Sequence, residues 1–331
     1  MSITARPSVL IVSPALAGAN NGNWRTAQRW ARHLSGHCRT RIVTDWQAEP
    51  CDLLIGLHAR RSAAALARHA RQCPHAPRVL VLTGTDVYRD IDVDPGAQEA
   101  LGLATCLVAL QDDAPARLPA PLRARCLVIH QSAPGALPLP RRAPARPLRV
   151  IQVGHLRDEK DPLTYLRAVR WLAHEPGLHF ELVGEALQPE LGDEARALMQ
   201  ECPQFRWWGM RPHHETRRRI AAADVLVNTS RMEGGAHVII EAVSAGTAVL
   251  ASRVGGNVGM LGVEHPGYFE VGDDAGLART VLRCRDEPGF LAALAAHGAR
   301  RAPLFDPERE RVAVLHLVQT LLKQLLENPF R

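Results

Sequence analysis

Short apolar segments alternate with longer amphipathic segments along most of the chain. The apolar runs are too short to be helices and are bounded by turn residues, so they predict buried strands, while the segments between them have helical composition. Strands and helices alternate in this way when a parallel sheet is covered by helices on both faces. In the first half, the strands are predicted at Val9–Ser13, Thr40–Thr44, Leu53–Leu57, Val79–Thr83, Cys106–Ala109 and Leu127–His130, and the helices at Trp24–Leu34, Ala63–Gln72 and Ala97–Leu101.

A proline-rich stretch over 134–147 interrupts this alternation. Proline disrupts both helix interiors and sheet ladders, so the stretch is interpreted as a linker or hinge. The alternation then restarts, with strands predicted at Leu148–Val153, His179–Val183, Phe205–Trp208, Val225–Thr229, Ala248–Ala251 and Gly267–Phe269, and helices at Pro162–His174, Asp193–Gln200, His213–Ala222, Ala236–Ala245, Ala275–Cys284, Pro288–Arg301 and Pro307–Glu327.

The pattern therefore predicts two Rossmann-like domains, one over 1–133 and one over 148–306. They are expected to face each other across a cleft at the carboxyl ends of both sheets, where α/β folds bind ligands. The terminal helix, over 307–331, is expected to pack back on the first domain.

Composition excludes several classes of protein. No run of 18 or more apolar residues is present, so no membrane span is expected. The N-terminal apolar run ends at Ser13 and is too short for a signal peptide, which favours a cytoplasmic protein. The seven cysteines are scattered without a C-x-x-C pair, so neither a disulfide framework nor a zinc site is predicted.

The net charge of +6 comes almost entirely from arginine, because Lys160 and Lys323 are the only lysines. Aromatic residues make up only 5% of the chain, which argues against a stacking platform for nucleic acid. The excess of basic residues over acidic ones favours a small anionic substrate instead. The histidines show no metal-ligand spacing such as H-E-x-x-H, so no metal is predicted.

The strongest motif runs from Ser230 to Glu241, after a predicted strand and into a helix. Its glycine pair, Gly234 and Gly235, would let the backbone approach an anion at the helix N-terminus. Glu233 precedes the helix, and Glu241 lies about two turns further along, where a carboxylate can accept two sugar hydroxyls. An acidic helix cap with a solvated glutamate would account equally well for this spacing.

A second motif follows the strand that ends near Gly154. Arg157 and Lys160 lie in the loop after it, where they could neutralise a diphosphate leaving group. The alternative is a solvated loop, because the sequence Arg-Asp-Glu-Lys neutralises its own charge. The segment over 255–259 is interpreted as a further glycine loop, and His213 and His214 as exposed residues.

In the first half, polar residues follow several predicted strands in turn. Each of them taken alone is more typical of a turn, but together they predict a ligand-binding edge. The loop after the first strand matches neither a dinucleotide fingerprint nor a P-loop. The acceptor-binding candidates are Asn20, Asn23, Arg25, His58, Arg60, Arg61, Thr85 and Asp86.

The second half resembles the retaining glycosyltransferases of the GT4 type. The resemblance is carried by Gly154-His155 with Lys160, by Trp208-Gly209-Met210, and by Glu233 and Glu241. It implies a GT-B fold and a UDP-sugar co-substrate. No cofactor is expected, and catalysis without a metal is expected because no Asp-x-Asp-type carboxylate pair lies in a suitable loop. Lys160 would contact the diphosphate, Glu233 the donor sugar and Glu241 the ribose, with Lys160, Glu233 and Arg157 as the catalytic set. The donor-binding set would be Gly22, Gly154, His155, Gly209, Met210, Gly234, Gly235, Ala236, His237, Val238 and Glu241.

Two positions depart from the GT4 pattern. His155 stands where an arginine is usual, so the diphosphate clamp would depend on Arg157. Glu233-Gly-Gly-Ala236 replaces Glu-Gly-Phe-Gly, so the sugar pocket would lack an aromatic wall.

A narrower resemblance is to the selenosugar synthases of selenoneine biosynthesis. It is carried by the segments NNGNWRTAQRW, LHARRSA, LTGTDVYRDI, VIHQSA, VGHLRDEKDP, SRMEGGAHVIIEA and GGNVGMLG. This resemblance implies that selenophosphate attacks the anomeric carbon of UDP-N-acetylglucosamine or UDP-glucose. UDP then leaves, and loss of phosphate gives a 1-seleno-sugar.

Two alternatives remain open: a GT4-type enzyme with a lipid or glycan hydroxyl acceptor, and a non-catalytic nucleotide-sugar-binding module. A lipid acceptor would be expected to require a basic and apolar face on the first helix, where Trp24, Trp30 and three arginines occur. The partners expected are small-molecule substrates, without nucleic acid or stable membrane association.

Overall fold

A computed structural model describes residues 6–15, 22–133 and 147–327. The linker predicted over 134–147 lies outside the described residues except for Pro147, and so does Asn20. The chain divides into two compact units, one formed by residues 1–131 with 307–331 and one by residues 132–306.

The first unit contains a six-stranded parallel sheet of order β2-β1-β3-β4-β5-β6. Its strands are β1 Ser8–Val12, β2 Arg39–Val43, β3 Leu53–Leu57, β4 Arg78–Leu82, β5 Cys106–Ala109 and β6 Cys126–Val128. Its helices before the linker are α1 Gly22–Leu34, α2 Ala59–Gln72, α3 Ile91–Val93, α4 Pro95–Leu103 and α5 Ala120–Arg123. All residues of β3 and β5 are buried, as a sheet covered on both faces requires.

The second unit contains a parallel sheet of order β12-β11-β10-β7-β8-β9. Its strands are β7 Leu148–Val153, β8 Leu178–Val183, β9 Phe205–Trp207, β10 Val225–Asn228, β11 Ala248–Ser252 and β12 Tyr268–Phe269. Its helices are α6 Pro162–Trp171, α7 Pro189–Glu201, α8 His213–Ala222, α9 His237–Ser244, α10 Gly255–Leu261, α11 Asp274–Asp286 and α12 Pro288–Arg301. Val150 and Ile151, neighbours on β7, belong to two different hydrophobic clusters, so helices cover both faces.

The last helix, α13 (Pro307–Glu327), belongs to the first unit and packs against α1. Its Glu310 is buried and accepts hydrogen bonds from Arg29 Nε at 2.6 Å and from Trp30 Nε1 at 3.0 Å. Trp30 is fully buried and belongs to the core of this unit. No helix among the described residues is long and apolar enough to cross a membrane.

The predicted glycine loop over 255–259 is wrong, because these residues belong to α10. Gly256 is needed here for close packing, since a Cβ on it would lie 1.9 Å from the carbonyl oxygen of Glu233. In the first unit, a π-helical turn over Asp86–Asp90 leads directly into α3. Elsewhere the boundaries differ modestly, as at α2 and α7, which begin before their predicted starts.

A buried ionic cluster on β8 supports the turn after β9. Glu181 accepts hydrogen bonds from Arg149 at 2.7 Å, from Arg219 at 2.8 Å and from Trp208 Nε1 at 3.0 Å. Burial alone would raise the pKa of Glu181, but the hydrogen bonds from its cationic neighbours lower it to about 2. The carboxylate thus fixes Trp208, the residue directly before Gly209.

Acid should destabilise the protein partly through Glu181. Its pKa lies below the usual 4.5, so its stabilising contribution is present above pH 4.5 and is lost as pH falls towards 2. We expect the acid-induced fall in unfolding free energy between pH 6 and pH 3 to be smaller by roughly 2 kcal/mol in Glu181→Gln. Urea denaturation at a series of pH values measures this difference, and parallel curves for the two proteins would contradict it.

Candidate functional site

The candidate donor site lies where the strand order of the second sheet reverses. β7 is hydrogen-bonded to β8 on one side and to β10 on the other. From β7 the chain continues into β8, whereas from β10 it continues into β11 on the opposite side of the sheet. Such switch points, at the carboxyl ends of the strands, are where open α/β sheets bind ligands. The loop of Gly154 and Lys160 follows β7, and the loop of Glu233 follows β10.

Three glycine turns after β7, β8 and β9 are packed side by side. Gly184 N donates to the carbonyl oxygen of Gly209 at 3.0 Å. A Cβ on Gly184 would lie only 1.8 Å from the carbonyl oxygen of Gly154. Gly209 has a φ of +62°, in the left-handed region that favours glycine. This packing brings the exposed Met210 turn to the same edge as the turn that carries Lys160.

Lys160 is held at this edge by the loop after β10. Its carbonyl oxygen accepts a hydrogen bond from Thr229 Oγ1 at 2.8 Å, and Gln152 donates to the same hydroxyl at 2.7 Å. Its ammonium Nζ donates to Glu233 Oε1 at 2.5 Å. About a quarter of the side chain, 23%, is exposed, so Lys160 is fixed in place and still partly open to solvent.

Glu233 is a buried carboxylate with several donors. Ser230 Oγ donates to Oε1 at 2.6 Å and Asn228 Nδ2 at 3.3 Å, in addition to Lys160. Burial alone would raise the pKa of Glu233, but the charge and hydrogen bond of Lys160, with those of Ser230 and Asn228, lower it below its usual value. Glu233 is therefore ionised at neutral pH and paired with Lys160.

The N-terminus of α9 opens beside this ion pair. Gly234, Gly235 and Ala236 lead into the helix, and no side chain caps it. The amide N of Ala236 lies 3.1 Å from Met260 Sδ of α10, a weak acceptor. The partial positive charge of a helix N-terminus favours an anion at such a position. Val238 lies in the first turn of this helix.

Glu241, in the second turn of α9, is paired with two histidines. Its Oε1 lies 2.5 Å from His213 Nε2 at the start of α8 and 3.4 Å from His237 Nδ1 at the start of α9. Burial alone would raise the pKa of Glu241, but these two side chains lower it to about 2. The interpretation of His213 as merely exposed is wrong, because its ring bonds this buried carboxylate.

Arg157 and His155 occupy the same loop as Lys160. The Arg157 side chain is 46% exposed and its Nε lies 3.8 Å from Glu159 Oε2. Among the described residues, Glu159 is its ion-pair partner, and no contact joins it to Glu233. His155 follows Gly154 directly and is half-buried.

The candidates in the first unit lie at the carboxyl ends of β3 and β4 and at the start of α1. His58 has a φ of +75°, and its Nε2 lies 3.0 Å from Thr85 Oγ1. Burial lowers the pKa of His58, so the neutral imidazole is favoured. Arg60 is bound to Asp90 at 3.1 Å. Gly22, Asn23 and Arg25 lie in the first turn of α1, and Arg61 is exposed on α2.

Asp86 has a structural role. It is fully buried, and its carboxylate accepts hydrogen bonds from the backbone amides of Ala59, Thr83, Gly84 and Val87 at 2.6–3.2 Å. These bonds hold the start of α2 against the turn after β4. We therefore leave Asp86 out of the acceptor site.

Sequence reasoning missed the polar network beneath Glu233. Ser252 Oγ donates to the carbonyl oxygen of Ser230 at 2.5 Å, and Asn257 Nδ2 donates to the carbonyl oxygen of Ser252 at 2.9 Å. Asn228 ends an otherwise apolar strand, and this polar residue in a buried run was the one available signal. Within the described ranges, no cluster of three His, Cys, Asp or Glu side chains is arranged to hold a metal ion.

Comparison with known proteins matches residues 140–298, most of the second unit, to the family described as "Glycosyl transferases group 1". The chain is similar to HepE from Anabaena, solved with UDP and glucose, at 17% identity over 95% of this chain and 100% of HepE, with a TM-score of 0.72. It is similar to sucrose-phosphate synthase from Thermosynechococcus elongatus at 19% identity over 96% of this chain and 99% of that protein, with a TM-score of 0.74.

A glycosyltransferase from Rickettsia africae is 15% identical over 96% of this chain and 99% of its own, with a TM-score of 0.72. At such low identity these likenesses show the fold alone. The predicted GT-B fold, with its two six-stranded parallel sheets, is confirmed.

Proposed function

We propose that this protein is a glycosyltransferase that takes its sugar from a UDP-sugar bound in the second unit. The observation that carries the proposal is the combination at one sheet edge of the Lys160–Glu233 pair, the uncapped α9 N-terminus and Glu241. Two further facts support it. The second unit matches a glycosyltransferase family. HepE, which shares the fold, has been solved with UDP and with UDP-glucose.

The chemistry of the site fits a departing diphosphate. Negative charge develops on the leaving group as the glycosidic C–O bond breaks, and fixed positive charge lowers the barrier to that step. Lys160 supplies one such charge, and the N-terminus of α9 supplies a partial one. We expect catalysis without a metal, because these groups can take over that role, and we assign Arg157 a lesser share because it is more exposed.

The remaining donor contacts follow from the same geometry. Glu241 would accept hydrogen bonds from the vicinal hydroxyls of the ribose, since an ionised carboxylate is purely an acceptor. The backbone of Gly209 and Met210 would contact the uracil. Glu233, ionised and fixed by Lys160, would face the donor sugar.

For the acceptor we propose selenophosphate, on the strength of the narrower sequence resemblance. Its selenium would attack the anomeric carbon as the bond to UDP breaks, and hydrolysis of the Se–P bond by water would release phosphate and a 1-seleno-sugar. An ionised selenium nucleophile needs no strong general base. Arg25, Arg60 and Arg61 of the first unit are the cations proposed to bind its phosphate group.

A lipid acceptor is less well supported by α1. The predicted membrane-docking face included Trp30, but this ring is fully buried and bonded to Glu310 of α13. The apolar part of that face is therefore reduced, and we retain selenophosphate as the acceptor.

Nucleotide binding tests the donor half of the proposal. We expect calorimetric titration to show binding of UDP and of at least one UDP-sugar, with ADP and GDP binding at least about tenfold more weakly because their bases do not fit the uracil turn. Equal affinity for all three nucleotides, or no binding of any, would overturn the UDP-sugar assignment.

A further inference from the structure

His213, at the start of the neighbouring helix α8, bonds Glu241, the carboxylate that we propose binds the ribose. Glu241 is 5% exposed, and both contacts of its side chain, from His213 and His237, are made to Oε1. The other oxygen, Oε2, receives no hydrogen bond from the described residues and keeps some exposure to solvent. A carboxylate with one oxygen bound by the protein and the other reachable from solvent can accept a hydrogen bond from a ligand.

We propose that His213 is a positioning residue for donor binding, which orients Glu241 so that Oε2 receives the vicinal hydroxyls of the nucleotide ribose. The inference rests on the proposed function, because it assumes a UDP-sugar at this site. It adds a residue that the sequence motifs do not contain.

The direction of the hydrogen bond follows from charge. Glu241 remains ionised because its pKa lies near 2, so it accepts hydrogen bonds and donates none. His213 must therefore carry a hydrogen on Nε2, the atom that lies 2.5 Å from Oε1. Hydrogen bonds to a charged acceptor are shorter and stronger than neutral ones, so this bond restrains the glutamate rotamer. His237, at 3.4 Å on the same helix, makes a longer contact.

The location of His213 links two parts of the donor site. It is the first residue of α8 and follows the turn of Gly209 and Met210 after only Arg211 and Pro212. One side chain, that of His213, therefore joins the turn proposed to contact the base to the carboxylate proposed to bind the ribose. A shift of the turn would move His213, and Glu241 would lose its restraint.

His214 provides a matched control. It is the next residue of the same helical turn, it is exposed, and it has no hydrogen-bond or ion-pair partner within the described part of the chain. Replacing it changes the same residue type at the same end of α8 without touching Glu241. Gln at position 213 is the conservative variant, since its amide nitrogen can take the place of Nε2 as a donor to Oε1.

The test is the affinity of wild type, His213→Ala, His213→Gln and His214→Ala for UDP and for 2′,3′-dideoxy-UDP, which lacks both ribose hydroxyls. We expect His213→Ala to bind UDP about tenfold more weakly, the effect of losing one hydrogen bond to a charged group. His213→Gln should recover most of this loss, and His214→Ala should match wild type. Binding of dideoxy-UDP should be the same in all four proteins. In turnover assays the KM for the UDP-sugar should rise while kcat changes little.

Three outcomes would overturn the proposal. Wild-type affinity of His213→Ala for UDP would remove His213 from donor binding. An equal loss for UDP and dideoxy-UDP would show a general structural role for His213. If wild type binds UDP and dideoxy-UDP equally, Glu241 does not bind the ribose hydroxyls, and the assigned donor contact is overturned as well. If Glu241→Ala loses UDP affinity while His213→Ala does not, the donor site stands and the positioning role alone fails.

Discussion

Replacement of Lys160 by alanine should lower kcat by about two to three orders of magnitude, the effect of losing one group that stabilises developing negative charge. Lys160 Nζ is bonded to Glu233, which precedes the α9 N-terminus, and its carbonyl is bound by Thr229, so the ammonium is already in place before reaction. Pre-organised charge of this kind acts on the transition state more than on the ground state. We therefore expect the affinity for UDP to change much less than kcat.

The variant must also be shown to fold, because alanine leaves Glu233 without its ionic partner. Glu233 keeps its hydrogen bonds from Ser230 and Asn228, which limits the damage. Thermal denaturation of the variant controls for this. Arg157→Ala is the matched control for charge, and we expect it to lower kcat by about tenfold or less because its side chain is about half exposed. A folded Lys160→Ala protein with a near-normal rate would remove Lys160 from the mechanism.

Replacement of Glu241 by alanine should weaken UDP binding by about 100-fold, since two hydrogen bonds from the ribose to a charged acceptor would be lost. The loss should be largely confined to ligands with both ribose hydroxyls, so dideoxy-UDP should bind the variant and wild type equally. With a saturating UDP-sugar the variant should retain most of its kcat. Titration calorimetry with the two nucleotides measures the effect directly.

Glu190→Ala is a suitable control, because Glu190 is exposed on α7 and has no ion-pair partner among the described residues. Glu241→Gln separates charge from shape, since glutamine keeps an acceptor oxygen but loses the ionised group that bonds His213. We expect its affinity for UDP to lie between those of wild type and the alanine variant. Unchanged UDP binding in Glu241→Ala would contradict the ribose assignment.

The sheet could be predicted from the sequence because its strands are buried on both faces. The run Leu53–Leu57 has no polar residue and every one of its positions is buried, so the apolar run and the strand coincide. The segment Gly255–Leu261 shows the opposite case. Its glycines indicate a turn by local propensity, but the segment is helical. Gly256 packs so closely on the backbone of Glu233 that no side chain would fit there, and this long-range contact is invisible in the local sequence.

The candidate site was partly visible in the sequence because its residues lie at predicted strand ends. Lys160, Glu233 and Glu241 follow strand ends, and a parallel sheet gathers its strand ends at one edge. His213 was missed because its contact with Glu241 joins two helices, and nothing in the local pattern gives the packing of α8 on α9. The role of Asp86 in holding the turn after β4 could not be read from the sequence, because the backbone amides that surround its carboxylate are invisible there.

The central claim is transfer of a sugar from a UDP-sugar to selenophosphate. The most direct test is UDP release by the purified protein with a panel of UDP-sugars and with selenophosphate, thiophosphate or no acceptor, followed by mass spectrometry of the products. We predict that UDP release depends on selenophosphate and yields a selenium-bearing sugar with UDP-N-acetylglucosamine or UDP-glucose. UDP-sugar binding without selenophosphate-dependent turnover would contradict the claim and assign the acceptor role to a hydroxyl compound or to none.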